Sequence, residues 1–97
     1  MKAEQALEKY MSRRVKEHGG MCIKLTGVTG IPDRLVITPY GKCIFVEMKV
    51  DGGHISPIQQ AIHRHLNALH CTVYTLWNYE QVDEFIDDYF GGYEDVY

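Results

Sequence analysis

The stretch from Gly30 to Val50 constrains this chain most. Two β-forming runs, Leu35 to Thr38 and Cys43 to Val46, flank a turn at Pro39-Tyr40-Gly41-Lys42, the pattern of an antiparallel hairpin. Strand side chains alternate faces, so Ile44, Val46, Met48 and Val50 form one apolar face, while Phe45, Glu47 and Lys49 share the other. A three-residue loop (Pro39 to Gly41) or a five-residue one (Thr38 to Lys42) sets the same register, with Asp33 opposite Glu47. That register holds two carboxylates roughly 4.5–5.5 Å apart at Cβ, a like-charge contact that destabilises a sheet unless a positive charge is shared. Lys49 and a divalent cation are the available partners.

The rest of the chain supplies layers for this hairpin. Its 97 residues suffice for one domain with a modest core. Residues 3–18 read as an amphipathic helix with Leu7, Met11 and Val15 on one stripe, closed by Gly19-Gly20. At about 100° per residue Glu4 and Glu8 fall on or beside that stripe, an unusual place for glutamates. Glu4 in the first turn also complements the helix dipole, and Glu8 can pair with a basic neighbour. Lys9, Arg13 and Lys16 lie on the far side, free for solvent or phosphates. Met21 to Thr26 is a short β-prone run before the Gly27-Val28-Thr29-Gly30 loop.

After the hairpin, Ser56-Pro57-Ile58-Gln59 carries a cap, a proline at the first helical position and a capping-box glutamine. The helix it opens is expected to run to about His70 and bury Ile58, Ile62, Leu66 and Leu69. Gln59 can also face substrate. His63 and His65 are two apart, splayed on a helix, and cannot share one zinc ion; His54 is a candidate phosphate or water contact. Thr72 to Trp77 reads as a strand, and Asn78 caps a last helix with Val82, Phe85, Ile86, Tyr89 and Phe90 at helical spacing, expected to stop at Gly91-Gly92. The order is helix, three strands, helix, strand, helix: an α/β domain with a mixed four-stranded sheet and helices on its faces. The expected bounds are a domain over 1–92 and a short acidic, flexible tail over 93–97.

Charge and cysteine usage narrow the setting. Residues 1–77 carry all 10 basic and 6 of the 13 acidic residues; residues 78–97 carry the other 7 acids and no base. The body is thus mildly basic, suited to a polyanion, and the acidic end is expected to face away from it. Cys22, Cys43 and Cys71 form no C-x-x-C pair and read as free buried thiols of a reducing cytosol. No window reaches the length of a membrane span and no signal-peptide core opens the chain.

Gly30-Ile31-Pro32-Asp33-Arg34, Phe45-Val46-Glu47-Met48-Lys49 and Ile55-Ser56-Pro57-Ile58-Gln59, in this order and spacing after a helix closed by Gly19-Gly20, resemble the PD-(D/E)xK nuclease superfamily, and within it the stand-alone virus-type replication-repair nuclease (VRR-NUC) domains. The resemblance implies a restriction-endonuclease-like αβββαβ core with an added C-terminal helix. It implies a metal-dependent deoxyribonuclease in which Asp33, Glu47 and the Met48 carbonyl hold Mg²⁺ or Mn²⁺ and a helical glutamate reaches the metal. Similarity to archaeal Holliday-junction resolvases favours Glu8 in that role, with Glu4 in reserve. Lys49 would orient the attacking water and Gln59 would support substrate or water; Lys9, Arg13, Arg34 and His54 are candidate DNA contacts. Stand-alone members imply a homodimer acting on branched DNA such as four-way junctions, in the cytoplasm of a bacterium or a phage-infected cell. Flap-type or exonucleolytic cleavage, or a non-catalytic DNA-binding module, are the alternatives. Trp77, Tyr79 and Tyr93 are candidate dimer contacts.

Overall fold

A computed structural model describes residues 2–95. The elements are α1 (Lys2–Glu17), β1 (Met21–Lys24), β2 (Arg34–Ile37), β3 (Cys43–Met48), α2 (Pro57–Ala68), β4 (Thr72–Leu76) and α3 (Tyr79–Asp95). One sheet runs in the order β1-β2-β3-β4, antiparallel across the first two junctions and parallel between β3 and β4. The parallel step needs a crossover, and α2 provides it.

The hairpin has the expected register. Arg34 pairs with Val46, Leu35 with Phe45, Val36 with Ile44 and Ile37 with Cys43, which leaves Asp33 facing Glu47 just beyond the last pair. At the turn, Thr38 N–H donates to the Lys42 carbonyl and Gly41 N–H to the Thr38 carbonyl, so the loop proper is Pro39-Tyr40-Gly41, with Gly41 at φ 84°.

Period-2 alternation divides the sheet into two unlike faces. Val36, Ile44, Val46, Met48 and Leu76 point to the face covered by α1 and α3, where Leu7, Met11, Val15, Val82, Phe85, Ile86 and Phe90 complete a fully buried core. Tyr74 meets Phe85 and Tyr89 edge-on and exchanges a 3.0 Å hydroxyl contact with Tyr89. The opposite face holds Glu47 and is covered only in part, by α2. That helix buries none of its residues: Ile58 is 49% and Leu69 61% exposed, correcting the expectation of a buried apolar stripe. Periodicity identifies the stripe; it does not show that α2 lies along the β4 side, with Met21, Ile23 and Cys43 open to solvent further across the sheet.

Other expectations are corrected at the ends and surfaces of elements. α2 closes at Ala68 because His70 takes the left-handed conformation (φ 68°), which lets Cys71 N–H return to the Leu66 carbonyl, a closure usually made by glycine. α3 runs through Gly91-Gly92 to Asp95, so the first three residues of the segment set apart as a tail continue the helix; residues 96 and 97 lie outside those described. The acidic end does not simply face away from the basic body. Asp83 of α3 accepts hydrogen bonds from Arg14 (2.8 Å) and Tyr10 (2.6 Å) of α1 and helps hold the two helices together. The three thiols are free, yet none is fully buried, and Cys43 is exposed. Among the described residues no helix is long and apolar enough to cross a membrane.

Gly20 sits where the end of α1 meets both β2 and α3. A Cβ there would lie 2.8 Å from the Ile37 carbonyl oxygen and 2.6 Å from Phe90 Cε1, and the backbone atom cannot move aside cheaply. Gly20→Ala is expected to lower stability by about 1–3 kcal/mol, the usual range for overpacking, read as a reduced urea midpoint with an unchanged m-value.

Candidate active site

The site lies at the C-terminal end of β3, on the sheet face beneath α2. Glu47 projects there from the middle strands with 1% of its surface exposed. Asp33 is held opposite by the hairpin register, and its Oδ2 accepts the Met48 backbone N–H at 2.8 Å. Lys49, two residues on and therefore on the same face, brings Nζ to 3.7 Å from Glu47 Oε2.

The capping box of α2 ties that helix to the carboxylates. Ser56 accepts the Gln59 N–H at 3.2 Å, and Gln59 Oε1 accepts the Ser56 N–H at 2.9 Å. The other end of the same amide, Nε2, donates to Glu47 Oε2 at 3.2 Å. One Gln59 side chain thus closes the cap and reaches Glu47 at once. One turn along, His63 Nε2 stands 3.9 Å from Glu47 Oε1, and neither atom has a hydrogen-bond partner. Sequence reasoning considers His63 only as a zinc ligand, whereas the structure brings it to Glu47. Its spacing from Gln59, four residues on one helical face, was the signal for it.

Burial dominates the electrostatics. Burial first, then the charge of Asp33 and the hydrogen bond with it, push the Glu47 carboxyl up to about 8; Lys49 opposes the shift and Glu4 adds to it. Burial and the nearby Lys49 lower the pKa of His63. A Glu47 carboxyl raised this far keeps its proton near neutrality unless a cation replaces it.

The remaining candidates lie elsewhere around the site. Glu8 is bound to Arg34, Oε2 to Nε at 2.6 Å, both largely buried on the α1 face of the sheet. Glu4 is the α1 carboxylate whose charge raises the Glu47 pKa. Arg34 still lines a shallow surface hollow with Lys9, Ser12, Arg13 and Lys16. His54 is exposed in the loop between β3 and α2. Trp77 and Tyr79 line a cleft with Val50, Asp51, Ala3 and Leu7; the Tyr93 side chain lies outside those described.

The donors fit a hard divalent cation. Glu47 presents a buried oxygen with no partner, and Asp33 faces it. Among the described residues no three His, Cys, Asp or Glu side chains converge as a ready-made metal cluster. A hard cation such as Mg²⁺ can be held by one or two carboxylates, with its remaining positions filled by waters and other oxygens.

Without metal, the stability that a protonated Glu47 contributes should be complete below the ordinary carboxylate pKa and decline as pH rises towards about 8, where the buried group ionises. The melting temperature of the metal-free protein, compared with Glu47→Gln, should therefore fall between pH 5 and pH 8. Equal pH profiles for the two proteins would contradict the raised pKa.

Comparisons with known proteins bear on the family and the fold. No family model matches the chain. It is 43% identical over 68 residues to a protein described as "Putative nuclease p44" of Acyrthosiphon pisum secondary endosymbiont phage 1, a match that spans 68% of this chain and 73% of that protein. A solved structure described as a VRR_NUC domain superposes with a TM-score of 0.81 at 34% identity, over 89% of this chain and 96% of that one. With a hairpin that sets an aspartate against the glutamate of Glu-x-Lys, this chain belongs to the VRR-NUC nuclease family, within the restriction-endonuclease-like fold.

Proposed function

We propose that this protein is a divalent-metal-dependent deoxyribonuclease that hydrolyses phosphodiester bonds in branched DNA, four-way junctions included, and works as a homodimer with one site per strand. The observation that carries the reading is Asp33 set against the buried Glu47 at the end of β3, with the Glu47 carboxyl pushed up to about 8 and flanked by Lys49 and Gln59. Family membership supports the nuclease class. The preference for branched DNA and the dimer rest on resemblance to stand-alone members.

In this reading Asp33, Glu47 and the Met48 carbonyl hold Mg²⁺ or Mn²⁺. Bound there, the ion would supply positive charge to the phosphoryl oxygens and acidify water. The chain's own groups do the positioning. The Lys49 ammonium, fixed beside Glu47, orients the attacking water and adds positive charge near the scissile phosphate. Gln59 holds the Glu47 carboxylate through Oε2 from the start of α2. Of the two α1 glutamates, Glu4 is the better-placed third carboxylate, because Glu8 is occupied by Arg34. Lys9 and Arg13, with Arg34 in the same hollow, supply phosphate contacts, and His54 lies in the loop next to the site.

The test is cleavage of a labelled four-way junction, a 5′ flap and a linear duplex, with and without Mg²⁺ or Mn²⁺. Symmetric, metal-dependent cuts at the junction are expected. Asp33→Ala, Glu47→Ala and Lys49→Ala should each reduce cleavage by at least about 10²-fold, the scale of losing one electrostatic or acid–base contribution. Cuts confined to flaps would keep the site and change the substrate; an active Glu47→Ala protein would overturn the assignment. DNA affinity should fall steeply between 50 and 200 mM salt as phosphate contacts release counterions, and a flat salt response in a filter-binding or anisotropy assay would point to another ligand.

A further inference from the structure

A cation can take one lone pair of the partnerless Glu47 oxygen, but the nuclease reading gives no role to His63, which stands against the same atom. Glu47 Oε2 has the Gln59 amide and the Lys49 ammonium, but Oε1, equally buried, has no hydrogen-bond donor. A carboxylate oxygen in that state is costly once the group ionises, and buried polar atoms without partners are uncommon enough to need a reason. The nearest polar atom recorded against it is His63 Nε2, also buried and also without a partner, 3.9 Å away. Two orphaned atoms of complementary type that face each other just beyond hydrogen-bonding distance need only a small side-chain adjustment to pair.

The geometry points to His63 as a positioning residue for Glu47, with its Nε2–H donating to Oε1 when Glu47 binds the cation as a carboxylate. This rests on the nuclease reading and deepens it. Gln59 and His63, one turn apart on α2, then grip the two oxygens of one carboxylate from the same helix. Glu47 is held in a single orientation, facing Asp33, with which it would share the ion. Partners that orient a ligating carboxylate matter to metal affinity nearly as much as the ligand itself, and their loss typically costs roughly 10–100-fold. α2 is lightly buried, so its attachment at the site depends heavily on these polar contacts.

The test is Mn²⁺ affinity by isothermal titration calorimetry for wild type, His63→Gln and His63→Met, with DNA cleavage measured alongside. Glutamine keeps an N–H donor near the Nε2 position; methionine fills a similar volume without one. His63→Met should bind Mn²⁺ roughly 10–100-fold more weakly, while His63→Gln should stay close to wild type. Equal affinity in His63→Met, or equal weakness in both variants, would overturn the inference and leave the nuclease reading intact. A wild-type protein that binds no Mn²⁺ and cuts no DNA would overturn both. Should the variants fail to fold, a ¹⁵N imidazole spectrum of the wild type decides. Adding Mg²⁺ should fix the His63 proton on Nε2, and an Nε2 left unprotonated in the loaded protein would overturn the inference.

Discussion

Everything at the functional end of this molecule depends on two carboxylates being forced to face each other across β2 and β3. The force is the hydrophobic pairing behind them. Val36 must oppose Ile44, and Val46 and Met48 must point the same way, for the core beneath α1 and α3 to close. A one-residue slip would turn that whole apolar set to solvent, so the register is strongly fixed. Asp33 and Glu47 are carried along by it. Their repulsion is too small to shift a register held by fully buried aliphatic residues, and it is relieved locally by the proton on Glu47, by Lys49 or by a cation.

The parallel step from β3 to β4 then decides what can reach these carboxylates. A parallel neighbour requires a crossover, and the crossover starts close to the end of β3, so the first turns of α2 stand over Glu47. The Ser56–Gln59 capping box fixes the direction of that helix, and the free end of the Gln59 amide reaches the acid. Gly30 brings the β1–β2 loop against the same helix: at φ 85°, a Cβ there would stand only 3.0 Å from the Ile58 carbonyl oxygen and from Ile62. α2 is thus held at its start and along one side, which is enough for a helix whose task is to present polar groups and not to seal a core.

What could be read from the sequence, and what could not, divides along sequence distance. The hairpin register, the two helix caps and the alternating faces of β3 are set by residues a few positions apart, and their signals are chemical: turn residues, cap residues and period-2 alternation. Glu8 was legible as a misplaced acid but its partner was not, because Arg34 is 26 residues away and reaches it only once β2 lies under α1. The exposure of α2 was hidden because an apolar stripe says nothing about how much sheet lies beneath it. Gly91-Gly92 reads as a stop, yet two glycines cost a helix only about 1 kcal/mol each, too little to end α3 by themselves. His63 differs from the other histidines in its four-residue spacing from Gln59, which gains meaning only once α2 lies over Glu47.

The division of the sheet into a core face and a chemical face also explains how so small a domain tolerates a strained acid pair. Along β3 the odd positions Phe45, Glu47 and Lys49 and the even positions Ile44, Val46 and Met48 lie on opposite sides of one backbone. Burial that stabilises the even set does not compete for space with the odd set, and unfavourable charge on the odd side disturbs none of the packing on the other. A helix of the same length spreads its side chains around a cylinder and could not keep the two environments so separate. The strand lets one six-residue segment serve as the centre of the core and as the scaffold of the site, with Glu47 anchored between neighbours that are themselves immobilised by packing.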